Sequence, residues 1–201
     1  MEVFKMDVGK LKSELLSQKV SAFKGNVYHW TQVSFAYHSN KIEGSQLSEE
    51  QAEMIYATHS FLTKREESVK LDDLIEMSNH FKMFDYMLDN VDKPLSKEIV
   101  IKMNVILKRG TSDEDNPRYN VGGFNNGIVG RMIMFKECLK HGIVPFIVLK
   151  QDKTGHLRGL REYNRHPNYL IDTCLHEQDI YENVCWQLLN FVIEESSQIL
   201  E

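Results

Sequence analysis

The chain has 201 residues, with 24 Lys+Arg against 29 Asp+Glu and 42% hydrophobic residues, the usage of a soluble globular protein. A chain of this length forms one domain or two small ones and buries enough surface to need neither disulfides nor metal for stability. Its net charge of -5 removes the attraction on which non-specific nucleic-acid binders depend, so nucleic acid is not expected as a partner. Cys138, Cys174 and Cys185 include no C-x-x-C and read as reduced core thiols. No stretch approaches the roughly 18 apolar residues of a membrane span, and the first residues lack a signal peptide's apolar run. The expected location is cytoplasmic, with no membrane partner.

Proline and glycine are scarce, 4 and 11 residues, so helices run uninterrupted and the fold class expected is all-α. Leu11, Leu15, Leu16 and Val20 share one face of a helix from Val8 to about Ala22. A second, more aromatic helix spans about 27–44, from Val27 through Trp30, Phe35 and Tyr37 to a stop at Gly44. Ser48 and Gln51 have the form of a capping box opening a helix that reaches about Phe61. Leu71 to Asp89 keeps the helical period, and Ser96 caps a helix carrying Ile99, Val100, Met103 and Leu107.

Arg109 to Gly127 gathers Asp, Asn, Ser, Gly and Pro without periodicity and reads as a loop. From about Val129, Met132, Ile133, Phe135, Leu139 and Ile143 describe a buried helix closed by Gly142. Phe146 to Leu149 is too short a run to assign to strand or helix. Lys153-Thr154-Gly155 reads as a turn, followed by helices over His156–Asn164 and Asn168 to the end. There is no internal repeat or linker, so residues 1–201 form a single domain.

Two stretches resemble one family. Ser39-Asn40-Lys41-Ile42-Glu43-Gly44 matches the Ser/Thr-x-x-x-Glu-Gly/Asn pattern of the inhibitory helix in the Fic family, whose active members transfer AMP from ATP to a hydroxyl of a protein. Asn126-Gly127-Ile128-Val129-Gly130-Arg131, with the following MIMFKECLKHGIVPFIV, resembles the second half of the motif His-x-Phe-x-Asp/Glu-Gly-Asn-Gly-Arg-x-x-Arg. Tyr119-Asn120-Val121-Gly122-Gly123-Phe124 is similar to the start of the family's substrate-docking flap. There the match breaks, because Phe124 is followed at once by Asn125-Asn126-Gly127. The resemblance therefore implies a Fic-like helical bundle with a shortened flap, an inhibitory helix at about 27–44 and a degenerate motif at about 120–131.

Aligned back from Asn126, the motif histidine falls on Asn120, the phenylalanine on Gly122 and the metal-binding acid on Phe124, while Ile128 replaces the first arginine. An amide has no usable pKa for deprotonating an attacking hydroxyl, and magnesium wants carboxylate oxygen where Phe124 offers a ring. The resemblance thus implies no catalytic histidine, a lost Mg²⁺ site, and ATP contact that is weak or lost. What remains for nucleotide is Asn126, Gly127, Gly130 and Arg131: a Gly-containing turn at a helix amino terminus and a guanidinium fork suit phosphate. Ser39 and Glu43 take the inhibitory role, Glu43 pairing with Arg131. The expected partners are a target protein or an intact homologue, with homo-oligomers as a further form. The alternative is a non-catalytic helical interaction or regulatory protein.

Each residue also has a plainer reading. Ser39 and Glu43 in isolation are helix-end residues. Arg131 alone is a surface ion-pair residue. Among the eight histidines, His141 is explained by a helix carboxyl end. His156 and His166 are placed in polar loops and His38 beside the inhibitory segment, each a weak candidate for a substitute base. Met132 and Met134 are core filler.

Overall fold

The computed structural model describes residues 6–21, 23–62, 68–116 and 127–198, with residues 190–198 described by backbone alone. Among these, eight α-helices and one 3-10 turn make an all-α fold: α1 (Val8–Ser21), α2 (Val27–Ile42), α3 (Glu49–Thr58), α4 (Leu71–Asp89), α5 (Lys97–Lys108), α6 (Gly127–Lys140), the 3-10 turn (Lys150–Asp152), α7 (Lys153–Glu162) and α8 (Pro167–Gln198).

Local chemistry sets the helix ends. Asn26 caps α2 by accepting the His29 N–H at 2.8 Å, and Ser48 and Gln51 form the expected capping box on α3. Helices α2 and α6 both close in Schellman turns. Gly44 N–H donates to Lys41 O and Ser45 N–H to Asn40 O, while Gly142 and Ile143 repeat the pattern on Leu139 O and Cys138 O. Gly44 and Gly142 have φ of 103° and 68°, where a Cβ is disfavoured.

Helix α2 is buried along nearly its whole length because it runs through the centre, packed on α1, α3, α4, α6 and α8. Its aromatic content, read from the sequence as a merely second helix, is therefore core. Phe35 lies 5.3 Å from Phe135 of α6, which in turn lies 5.6 Å from both Phe84 of α4 and Tyr181 of α8. These four rings join elements distant in sequence, at spacings where aromatic pairs attract beyond their area burial.

Several expectations change. Val20 is exposed rather than on the buried stripe, and Ile143 is exposed beyond the end of α6; Ala22 lies outside the described residues. Helix α3 stops at Thr58, because His59 turns left-handed at φ 52°. Lys153-Thr154-Gly155 is the first turn of α7 rather than a break before it. Phe146 to Val148 is buried without regular structure. Of the thiols, Cys185 is buried, whereas Cys138 and Cys174 are half-buried.

Asn79 of α4 is buried and donates to Leu107 O at 3.0 Å and Arg109 O at 2.7 Å, satisfying carbonyls that α5 leaves at its end. Asn79→Ala would orphan both in a buried place, costing about 2 kcal/mol. A thermal melt should show a midpoint lower by roughly 5 °C.

The 3-10 turn ties α2 to α8. Lys150 donates from Nζ to Tyr37 Oη at 2.6 Å and from its backbone N–H to His38 Nδ1 at 3.1 Å. Glu177 of α8 accepts the Leu149 N–H at 2.9 Å. Burial, with Asp152 nearby, pushes the Glu177 carboxyl up to about 7. Between about pH 4.5 and 7 the folded chain therefore holds a proton there that the unfolded chain has released, so this group's contribution falls as pH rises through that window. The histidines with depressed values contribute the opposite slope. The difference between wild type and Glu177→Gln isolates the carboxyl: the variant should gain on the order of 3 kcal/mol relative to wild type from pH 4.5 to pH 7.5, read from denaturant melts.

Candidate functional site at the α2–α6 junction

The Schellman turn at Gly44 leaves Glu43 as the C-cap residue of α2, at φ -83° and ψ -1°. This points its carboxylate at the first residues of α6. Arg131, one turn into α6, reaches back across the same gap. Its Nη2 donates to Glu43 Oε1 at 2.8 Å and to the Ser39 carbonyl at 3.1 Å, and its Nε donates to Ser39 Oγ at 3.2 Å. Ser39 and Glu43 are one helical turn apart, so both fall on the face that meets Arg131.

The plainer alternative for Arg131, a surface ion-pair residue, does not hold, because it is only 6% exposed. Burial lowers its pKa, and the Glu43 carboxylate opposes that shift. Both Arg131–Ser39 bonds are buried, whereas Glu43 is 45% exposed. The ion pair is thus a cation held in the wall by α2 and an anion at the rim.

Gly127 opens α6, two residues ahead of the expected start at Val129. A methyl group built on Gly127 would overlap Glu43 Oε1 and lie 3.2 Å from Arg131 Nη1. The Glu43 carboxylate therefore sits directly on the first turn of α6, which has no acidic residue of its own. Carboxylate at this end of the helix is favoured by the dipole. Gly130, one residue before Arg131, has open space where a side chain would project. Asn126 lies outside the described residues, as do Asn120, Gly122 and Phe124.

Two imidazoles that the sequence reading did not place here feel the Arg131 charge. His80 of α4 is fully buried with neither ring nitrogen hydrogen-bonded, and burial aided by Arg131 pushes it down to about 3. His156 is on α7 and buried, which corrects its placement in a polar loop; burial and then Arg131 lower its pKa, and its Nδ1 lacks a partner. Both rings are thereby held neutral. His80 carried no sequence signal beyond its place on a periodic helix, since burial depends on what packs over it. His38 faces Lys150, and its pKa falls to about 4 through burial and that charge. His166 and His141 are exposed.

The donor set can hold an anion: a helix amino terminus and a buried guanidinium. The carboxylate at the junction is Glu43, already spent on Arg131, and among the described residues no three His, Cys, Asp or Glu side chains group as metal ligands would.

No model of a known protein family matches the sequence, and no curated protein does. The structure is similar to that of a Fic-domain-containing signalling protein from Bacteroides thetaiotaomicron, at 14% identity and a TM-score of 0.61, covering 90% of this chain and 94% of that one. A likeness of this extent, in a chain whose Ser39, Glu43 and Arg131 meet where α2 abuts α6, identifies the architecture as the Fic-domain fold.

Proposed function

We propose that this chain is a protein-adenylyltransferase scaffold of the Fic type, closed by its own glutamate and impaired in AMP transfer. The observation that carries the reading is the Glu43–Arg131 contact at 2.8 Å on the first turn of α6. The anion site already contains an anion. A phosphate group entering it must displace the Glu43 carboxylate, so ATP contact is weak while Glu43 stays.

The impairment rests on chemistry that the motif lacks. Asn120 stands where the resemblance expects a histidine and Phe124 where it expects an acid. Neither can accept a proton from an attacking alcohol or bind Mg²⁺. The two buried imidazoles are poor substitutes. His80 is sealed from solvent and too weakly basic, and His156 is desolvated beside a cation. Incubation with labelled ATP, Mg²⁺ or Mn²⁺ and lysate proteins should give background labelling. Robust labelling lost in Arg131→Ala or His156→Ala would overturn the reading.

A second reading, a non-catalytic interaction protein, is favoured by the α7–α8 hairpin. Leu157, Leu160, Ile171 and Leu175 are all exposed there, and apolar side chains gathered on one hairpin mark association surfaces. Under this reading the chain pairs with a second copy or an intact homologue. Light scattering during size-exclusion chromatography discriminates: a strictly monomeric chain that captures no homologue counts against it.

A further inference from the structure

Helix α7 carries an apolar stripe on its exposed side. Its buried positions are His156 and Gly159, the latter pressed on the backbone of Leu170 in α8. Leu157, Leu160 and Arg161 stand at i, i+3 and i+4, on one helical face, and all three are exposed, Leu160 at 52%. Arg165 follows them and is exposed too. Arg158 is held by Glu162 and the ring of Tyr169, whereas Arg161 and Arg165 have no ion-pair partner among the described residues. Between Lys153 and Leu175 there are four Lys and Arg against two Asp and Glu, in a chain whose net charge is -5.

The opposite chemistry occupies a groove of about 480 Å³ between α2, α3 and α8. Trp30, Val33 and Leu188 supply its apolar lining, and Glu49, Glu50 and Glu53 of α3 stand along one side. Helix α3 carries these three acids and no Lys or Arg. Glu53 lies 3.1 Å from His29 Nε2, yet its side chain is 43% exposed, and Glu49 and Glu50 are exposed. An apolar floor with an anionic edge complements apolar side chains flanked by guanidinium groups.

The stripe cannot enter the groove of its own chain. Gly159 fixes α7 at Leu170, and Leu188 lies eighteen residues further along α8, roughly 27 Å on a continuous helix. Two different patches that complement one another can therefore meet only between copies, head to tail.

We propose that the Leu157, Leu160 and Arg161 stripe of one copy seats in the α2–α3–α8 groove of a second copy, leucines on Trp30 and Val33 and arginines on the α3 glutamates. This specifies the interaction reading above and rests on it. A short helix in a groove is a small interface, so the association is weak and reversible, and its charge pairing makes it salt-sensitive.

The test is light scattering of the full chain over a series from micromolar to near-millimolar concentration, at low and at molar salt. The weight-average mass should rise about twofold or more at low salt and fall back towards the monomer at high salt. Leu157→Gln with Leu160→Gln removes the stripe, and Glu49→Lys with Glu50→Lys reverses the groove edge. All four positions are exposed, so circular dichroism should be unchanged. Each double variant alone should stay monomeric. Their mixture should form a one-to-one dimer and nothing larger, since one stripe and one groove remain intact in it. A groove variant that associates like wild type assigns the stripe to another stripe, which overturns this contact and leaves the interaction reading standing. A mixture that stays monomeric overturns it as well. So does a wild type that is monomeric throughout, including one whose stripe binds vesicles of phosphatidylserine and phosphatidylcholine instead.

Discussion

Glu43→Gly is expected to raise ATP affinity at least tenfold while leaving AMP transfer at background. The first half follows from electrostatics. In the wild type, the Arg131 fork and the first turn of α6 are already neutralised by a carboxylate, and a tenfold gain requires only about 1.4 kcal/mol. Arg131 keeps both bonds to Ser39, so the guanidinium remains held in place when Glu43 goes. Glu43 is 45% exposed but Arg131 is buried, so loss of Glu43 leaves a buried cation without a counter-ion and should cost about 1–3 kcal/mol of stability. The second half follows from the missing base and acid at positions 120 and 124: opening the anion site supplies neither. Titration with ATP reads the first and labelled ATP the second. Gly127→Ala is the companion, since its methyl group would push the Glu43 carboxylate aside without removing it. It should not raise ATP affinity, because the methyl group fills the place on the first turn of α6 that a phosphate would take. A Glu43→Gly chain that binds ATP no better than wild type removes the inhibitory role from Glu43. One that labels proteins removes the claim of impairment.

Gly159→Ala should be the more damaging substitution to the fold. A Cβ at this position on α7 would lie 2.7 Å from Leu170 Cα and 2.8 Å from Leu170 N. These are backbone atoms of α8, so no rotamer change relieves the clash, and the helices must move apart. Forcing a methyl into such a crossing costs about 2–3 kcal/mol, and the melting midpoint should drop by about 5–10 °C. By contrast Gly130→Ala, on α6 with open space beyond its Cα, should be neutral or slightly stabilising through helix propensity. Side-by-side thermal melts distinguish the two. A Gly159→Ala chain as stable as wild type would show that the α7–α8 crossing yields more easily than close packing allows.

These positions also mark where sequence reasoning succeeds and where it stops. The helices were legible because their signals are local: a Ser-x-x-Gln box for α3, glycines closing α2 and α6, and apolar residues spaced by turns along α4 and α5. The Ser39-x-x-x-Glu43 spacing alone puts two polar groups on one helical face. Local signals fail where one element's state depends on another's. Arg131 taken alone reads as a surface ion-pair residue until α2 covers it, and nothing local to His156 tells that its ring is buried. His80 and Gln32 carry no distinguishing pattern at all, yet become unpartnered buried polar groups once the helices close. Chain chemistry by itself therefore determined the all-α class and the capped or glycine-closed helix ends, while the end of α3 and the starts of α6 and α7 lie elsewhere than their local signals put them. Only tertiary packing decided that Glu43 lies on α6, because an ion pair between residues 88 positions apart is set by the crossing of two helices.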